Sequence, residues 1–341
     1  MAISNDIGID LGTTKVMIYK QDEGIVLNEP SVVAYDVNTG APFAFGQEAF
    51  LMVGKTHKGI AAEYPLNDGV ISNYTLTKEM IKYFINKAYN SKVIKPKVCI
   101  CVPSAVTGIE ENAVVDAAVS SGARQVFLIE EPIAAALGAG IDILKANGNI
   151  IVDIGGGTTD IAVISMGGIV CSRSIKVAGN TFDKEITKML KNKYSFSAGP
   201  RAVQQLKHEI ADCLADRREA VLYKVKGINL AKGLPGILEL TSKDLSEVVN
   251  PIISEILNAV KRVLEVTPPE LSGDIYENGV MLTGAGAKIK NLDKYLSENL
   301  NIKVQLAQEP EKCVAIGTGL SFALEGKLES GFRDVTPGFD K

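Results

Sequence analysis

Two stretches of this chain repeat one another, and a chain that carries the same turn twice is constrained to fold as two related halves. Residues 7–19 read IGIDLGTTKVMIY and residues 150–164 read IIVDIGGGTTDIAVI. Each is an apolar run ending on an Asp, then a Gly/Thr turn, then a second apolar run, which is the pattern of a strand–turn–strand hairpin. Exposed amides in such a turn form a concavity that accepts anions. Gly12, Thr13 and Thr14 are therefore candidates for cradling phosphate from one side, and Gly155, Gly156, Gly157 and Thr158 from the other. Asp10 and Asp153 cannot take phosphate themselves, but they can hold Mg2+ through water, because that ion keeps much of its hydration shell. The bland reading of either Asp is a strand end that satisfies its own turn amides. Two copies in the same order point further, to a duplicated domain with a nucleotide in the cleft between the halves.

The composition permits this and excludes other classes. At 341 residues the chain can build two cores. Apolar residues make up 46% and charged residues 22%, so disorder is not expected. The net charge is −4 and no basic block occurs, which argues against nucleic acid as a partner. Cys99, Cys101, Cys171, Cys213 and Cys313 form no CxxC pair, a reducing-compartment pattern. With only His57 and His208, a histidine-based metal site is not expected. No apolar run approaches ~18 residues, and no signal peptide is apparent, so the expected location is cytoplasmic.

Between and after the hairpins the elements alternate. Residues 24–45 are β-rich. Met80, Phe84 and Ala88 recur every four residues within a helix predicted over 75–90. KVCICVP at 97–103 and 126–129 read as buried strands. Thr107 and Glu110 fit a capping box. Pro132 suits the first turn of a small-residue helix. The second half predicts helices at 181–193, 200–214 and 244–266, strands over 220–240 and 280–283, and helices at 291–299 and 313–324. Pro268 and Pro269 stop the long helix. The tail from 325 is expected to be loosely ordered. The predicted fold class is α/β, with mixed sheets in both halves.

At this point the motifs resemble a known family. The two Asp-containing hairpins, EPIAAALG at 131–138, LTGAG at 282–286 and AIGTG at 315–319 resemble the ATPase core shared by actin, sugar kinases and heat-shock chaperones. Within that group NEPSV (28–32), DGVI (68–71), YFI (83–85), FLIEEP (127–132), KHEI (207–210) and TPPEL (267–271) are similar to the MreB family of bacterial actin homologues, from about residue 6 to 324. The resemblance implies an actin-like fold of two duplicated α/β domains around a central nucleotide cleft, each with a smaller subdomain. Domain I would be 1–144 plus 312–341, with a small subdomain at about 32–72. Domain II would be 145–311, with a small subdomain at about 181–243. It further implies ATP and Mg2+ in the cleft, slow hydrolysis, and filaments that are double and antiparallel. Those filaments lie at the inner face of the cell membrane, where they guide cell-wall elongation proteins and set a rod or elongated cell shape.

Residue roles follow from the same resemblance. Glu131 orients or deprotonates the attacking water, with Thr158 assisting; the alternative for Glu131 is a helix-start carboxylate without catalysis. Gly284 and Gly286 let the backbone approach the base, and Glu209 bonds the ribose with help from Lys207. Glu209 is otherwise a solvated helix residue. Two departures stand out. Ala285 replaces the middle one of three glycines, where a methyl would crowd the nucleotide or restrict a positive φ. Lys15 stands where a small or polar residue is usual, and either adds a cation near the phosphates or lies on the surface.

Val93 and Ile94, flanked by Lys92 and Lys95, are the expected membrane contact, unless both pack on the domain. Residues 1–5 are too short for an amphipathic anchor. A sugar-kinase-type phosphotransferase would need a substrate insertion and an Asp base, for which there is no candidate. A chaperone would need a peptide-binding domain after the core. A divisome or plasmid-segregation actin fits the MreB-like text less well, and a degenerate, non-hydrolysing member is disfavoured by the presence of Glu131 and Thr158.

Overall fold

Both repeated hairpins form, and each seeds a sheet. The computed structural model describes residues 6–67, 69–89, 95–104 and 106–337. Strands Ile7–Leu11 and Lys15–Lys20 pair antiparallel, and Gly24–Pro30 extends them. Lys97–Val102 and then Gln125–Glu130 add in parallel on the other side. The second half repeats that order. Asn149–Ile154, Thr159–Ser165 and Gly168–Ile175 form the antiparallel meander, and Val280–Thr283 and Val304–Leu306 extend it in parallel. The duplication seen in one turn therefore governs two whole sheets, of six and five strands. A small three-stranded sheet sits in each half: Val33–Asp36 with Pro42–Phe45 and Ile60–Glu63, and Leu222–Asn229 with Phe196–Ser197 and Leu234–Thr241.

Helices bury the sheet faces. Met80, Phe84 and Ile85 of Tyr74–Ala88 pack on Ile7, Ile9 and Ile100. Asn73 caps that helix, accepting from Leu76 N at 3.1 Å. The capping box at Thr107 and Glu110 closes as expected and opens the helix Gly108–Ser120. In the second half Phe182, Ile186, Ile253 and Ile256 pack on Val152, Ile161 and Val163. A third cluster joins the halves: Phe127 and Ile129 from the first sheet, Ile151 and Ile164 from the second, and Ile133, Ala134 and Val314 between them. Those last residues belong to the helices Glu131–Gly138 and Cys313–Leu320. The two helices touch backbone to backbone: a Cβ at Gly317 would collide with the carbonyl oxygen of Ala134, and one at Gly138 with that of Cys313.

The structure corrects three local expectations. The helix predicted over 200–214 runs only Pro200–Ile210. Asp212 ends it by accepting from Leu214 N (2.8 Å) and Asn291 Nδ2 (2.7 Å), while Cys213 N donates to Lys290 O, so the chain is drawn to a distant segment. Pro269 also opens a helix of its own, Pro269–Asn278, since its fixed φ suits a first turn. The tail is not loose where it is described: Phe332–Asp334 adds antiparallel to the edge of Gln125–Glu130. Phe332 stacks on Phe127 with ring centroids 5.3 Å apart, Thr336 Oγ1 accepts from Val126 N, and Arg333 pairs with Glu111. Val93 and Ile94 lie outside the described residues. Among the described residues no helix is long and apolar enough to cross a membrane.

The helix crossing yields a stability prediction. Gly317→Ala should lower the free energy of unfolding by about 1–3 kcal/mol, the usual cost of overpacking. Gly108→Ala, whose Cβ would meet nothing within 4 Å, should change it by less than about 1 kcal/mol. Urea denaturation of both variants checks this, and equal effects would contradict the backbone contact.

Candidate functional site

The two hairpin turns meet at the ends of the sheets. In the first, Ser31 Oγ donates to Gly12 O at 2.6 Å and fixes the turn. In the second, Gly155 N donates to Thr158 O at 2.9 Å. The turns face one another so closely that a Cβ at Gly156 would lie 2.5 Å from Thr14 Cγ2. Gly12, Thr13, Thr14 and Lys15 line one cavity together with Gly155, Gly156, Gly157 and Thr158, and Asp10, Asp153 and Glu131 share it. Lys15 is exposed at the rim and borders an adjoining cavity as well. The space open to water in these cavities is about 100 and 410 Å3, together within the range of a small-ligand site.

The acidic residues converge because strand alternation puts them there. Asp10 and Asp153 hold the same place in their strands, one residue before the end, and each is flanked by a parallel neighbour, Cys101 and Thr283. Thr283 Oγ1 donates to Asp153 Oδ1 at 2.7 Å. Burial, then the charge of Asp153, raises the Asp10 carboxyl from 3.8 to about 7. Burial raises Asp153 to about 7, with Asp160 adding and Thr283 opposing. Glu131 opens the helix Glu131–Gly138 where strand Gln125–Glu130 ends. Burial, then Asp160, Asp153 and Asp10, push its carboxyl well above the ordinary range. Glu130 turns instead towards Gly331 of the C-terminal segment.

Asp160 escaped the sequence reading as a site residue. It lies directly across from Asp153, two residues after Thr158 and therefore on the same sheet face. It is 1% exposed, and neither of its carboxylate oxygens has a hydrogen-bond partner. Burial raises it, although Thr158, Ser174 and Glu131 lie close enough to oppose the shift. The signal was present as the second acid of the hairpin, at the end of the TTD run, but its meaning depends on Glu131 arriving from the other half.

The adjoining cavity runs past Gly179, Asn180, Gln204, Lys207, His208, Ala285 and Gly286. Gly284 has φ +83°, and a Cβ there would collide with Ile154 O; one at Gly286 would lie 2.5 Å from Ile154 Cγ2. Ala285 opens a short 3-10 turn without a positive φ. The left-handed conformation thus falls on Gly284 and the tight space on Gly286, so an alanine between them carries no backbone strain. Lys207 is buried, donating from Nζ to Gly179 O (2.9 Å) and pairing with Asp183 (3.0 Å). Glu209 is exposed, its backbone oxygen accepts from Lys290 Nζ, and its side chain lines neither cavity.

The donor set can be tested against the ion it was expected to hold. Among the described residues no group of three or more His, Cys, Asp or Glu is placed to ligate a metal directly. Two carboxylates from opposing hairpins suit a hard cation that keeps its own waters, and not a fully protein-ligated one. Buried acids raised to about 7 also call for positive charge beside them.

The family model described as MreB/Mbl protein matches residues 4–329. The cell shape-determining protein Mbl of Bacillus subtilis is 48% identical over 327 residues, covering 95% of this chain and 98% of the relative. The cell shape-determining protein MreB of Escherichia coli is 42% identical over 322 residues, covering 93% and 92%. Among solved structures, MreB5 of Spiroplasma citri bound to ADP superposes with TM-score 0.88 at 38% identity, covering 94% of this chain and 97% of that one; its AMPPNP-bound form also gives 0.88. The fold is therefore actin-like, and the chain belongs to the MreB/Mbl family.

Proposed function

We propose that this protein binds ATP and polymerises into membrane-associated filaments that organise cell-wall synthesis and a rod or elongated cell shape, hydrolysing ATP slowly in the cleft. The observation that carries this reading is the pair of touching Gly/Thr turns, each with an Asp beside it and Glu131 at the shared cavity. Relatives add support: Mbl and MreB bear the name cell shape-determining protein, and MreB5 was crystallised with ADP and with AMPPNP. The working unit is domain I, 1–144 plus 312–341, closing on domain II, 145–311, with small subdomains at about 32–72 and 181–243.

In this reading Gly12, Thr13, Thr14, Gly155, Gly156 and Gly157 cradle the phosphates through backbone amides and hydroxyls, and Lys15 adds a cation at the rim. Asp10 and Asp153 would hold Mg2+ through water, and that ion supplies charge neutralisation to the polyphosphate. Glu131 orients the attacking water and accepts its proton, with Thr158 beside it. Burial among Asp160, Asp153 and Asp10 favours neutral Glu131 in an empty cleft, so its basicity depends on what else the cleft holds. Gly284, Ala285 and Gly286 border the base; Lys207 braces the ribose side through Gly179 and Asp183, with Glu209 reaching the ribose by side-chain rotation. The partners are further copies of this chain, the inner face of the cell membrane through Val93 and Ile94, and wall-elongation proteins.

Electron microscopy of the purified protein on anionic lipid, with Mg2+ and ATP, tests the whole proposal. Paired filaments lying on the lipid are expected, and a monomer in every condition would overturn it. Glu131→Ala should keep ATP binding and lose phosphate release by at least about 100-fold; unchanged turnover would remove Glu131 from the chemistry. A third expectation concerns pH. Asp10 and Asp153 bind protons more tightly folded, at about 7, than at the ordinary 3.8. The stability they contribute is present below about pH 4 and lost as pH rises through about 7. Nucleotide-free protein should melt lower at pH 8 than at pH 6, and adding Mg2+ and ATP should raise Tm more at pH 8. An equal gain at both values would contradict the charge argument.

A further inference from the structure

Away from the phosphate turns, a helix from each half meets the other across the open side of the cleft. Phe50 stands on the short helix Gln47–Met52 of the first half, packed on the small cluster of Val32, Ala34 and Ala44. Arg201 stands in the first turn of Pro200–Ile210 in the second half. The Arg201 guanidinium carbon lies 5.0 Å from the centroid of the Phe50 ring. Among the described residues Arg201 has no ion-pair partner, so the ring face is what the guanidinium meets. We propose that Arg201 and Phe50 form a latch across the mouth of the cleft that slows nucleotide exchange. This inference rests on the nucleotide-cleft reading above and specifies how that site is regulated.

Three further contacts place the latch in line with the phosphate turns. Arg201, Phe50 and Tyr64 line a single cavity with Thr13 and Thr14, so the path from the mouth leads directly to the first turn. Tyr64 sits within reach of both charges on the opposite wall: burial and then Asp183 raise its phenol, and Arg201 opposes them. Asp183 Oδ1 is buried without a hydrogen-bond partner, so that wall holds an acceptor in reserve. The wall itself is tied to the second turn. Gly179 N donates to Gly155 O (3.1 Å) and Asn180 N to Gly156 O (2.7 Å), and Lys207 Nζ binds Gly179 O and Asp183. Lys207 and Arg201 share one helix. A displacement of the Gly155–Gly156 backbone by phosphate is thereby passed through Gly179 and Lys207 to the helix that carries Arg201.

Release of mant-ATP from the full chain, chased with excess ATP below the concentration of assembly, tests the latch. A cation resting on a half-buried aromatic face is a weak contact, so Arg201→Ala should speed release by about two- to five-fold. Phe50→Leu, which keeps the apolar packing of its own half, should do the same. The double variant should release no faster than the faster single one, because both remove one contact. An unchanged rate for Arg201→Ala, or a double effect equal to the product of the singles, would overturn the latch. If the unaltered protein binds mant-ATP and the variants release it at the same rate, the latch alone falls. If the unaltered protein does not bind mant-ATP, the nucleotide reading falls and the latch with it.

Discussion

The contact on which the rest depends is the crossing of helices Glu131–Gly138 and Cys313–Leu320. No side chain separates them at Gly138 and Gly317. The crossing continues into the first sheet, since a Cβ at Gly8 would collide with the backbone of Gly319, and one at Gly319 with the Tyr19 ring. Backbones in contact set the spacing between the halves more tightly than any larger side chain would, because a methyl has nowhere to go. That spacing brings the two hairpin turns together. Glu131 is delivered to the same place because its helix begins where the strand Gln125–Glu130 stops.

Close approach has an electrostatic consequence. Duplication supplies an Asp at the end of each hairpin, and the crossing forces both into one buried space with Glu131 and Asp160. Carboxylates cannot all remain ionised there without a cation, so their affinity for protons rises. The clustered acids are thus destabilising near neutral pH when ionised, and positive charge beside them offsets that cost. This is an expected trade in a functional site, where charge is arranged for a guest and not for the stability of the fold alone.

What could be read from the sequence was what local chemistry determines. The hairpins show as apolar runs around Gly/Thr turns, the capping box at Thr107 is a four-residue pattern, and the parallel strands are continuous apolar runs. The rest required partners distant in the chain. The helix from Pro200 ends at Ile210 because Asp212 binds Asn291. The tail forms a strand because Phe332 finds Phe127. Asp160 matters because Glu131 comes from the other half. Counting glycines at 284–286 suggested strain at Ala285, whereas φ places the requirement on Gly284. Helix phase separates Lys207, which turns inward, from Glu209, which turns to solvent, and two residues of spacing on a helix do put side chains on different faces.

The two ends of the cleft are held by interactions of very different stiffness. At its base, packed backbone and a cluster of buried apolar side chains join the halves. At its mouth, an aromatic–guanidinium contact spans an open cavity. Each half also carries its own core, so a rotation about the base need not disturb either one. The Gly155–Gly156 backbone is tied to Gly179 and Asn180, and through Lys207 to the helix that carries Arg201.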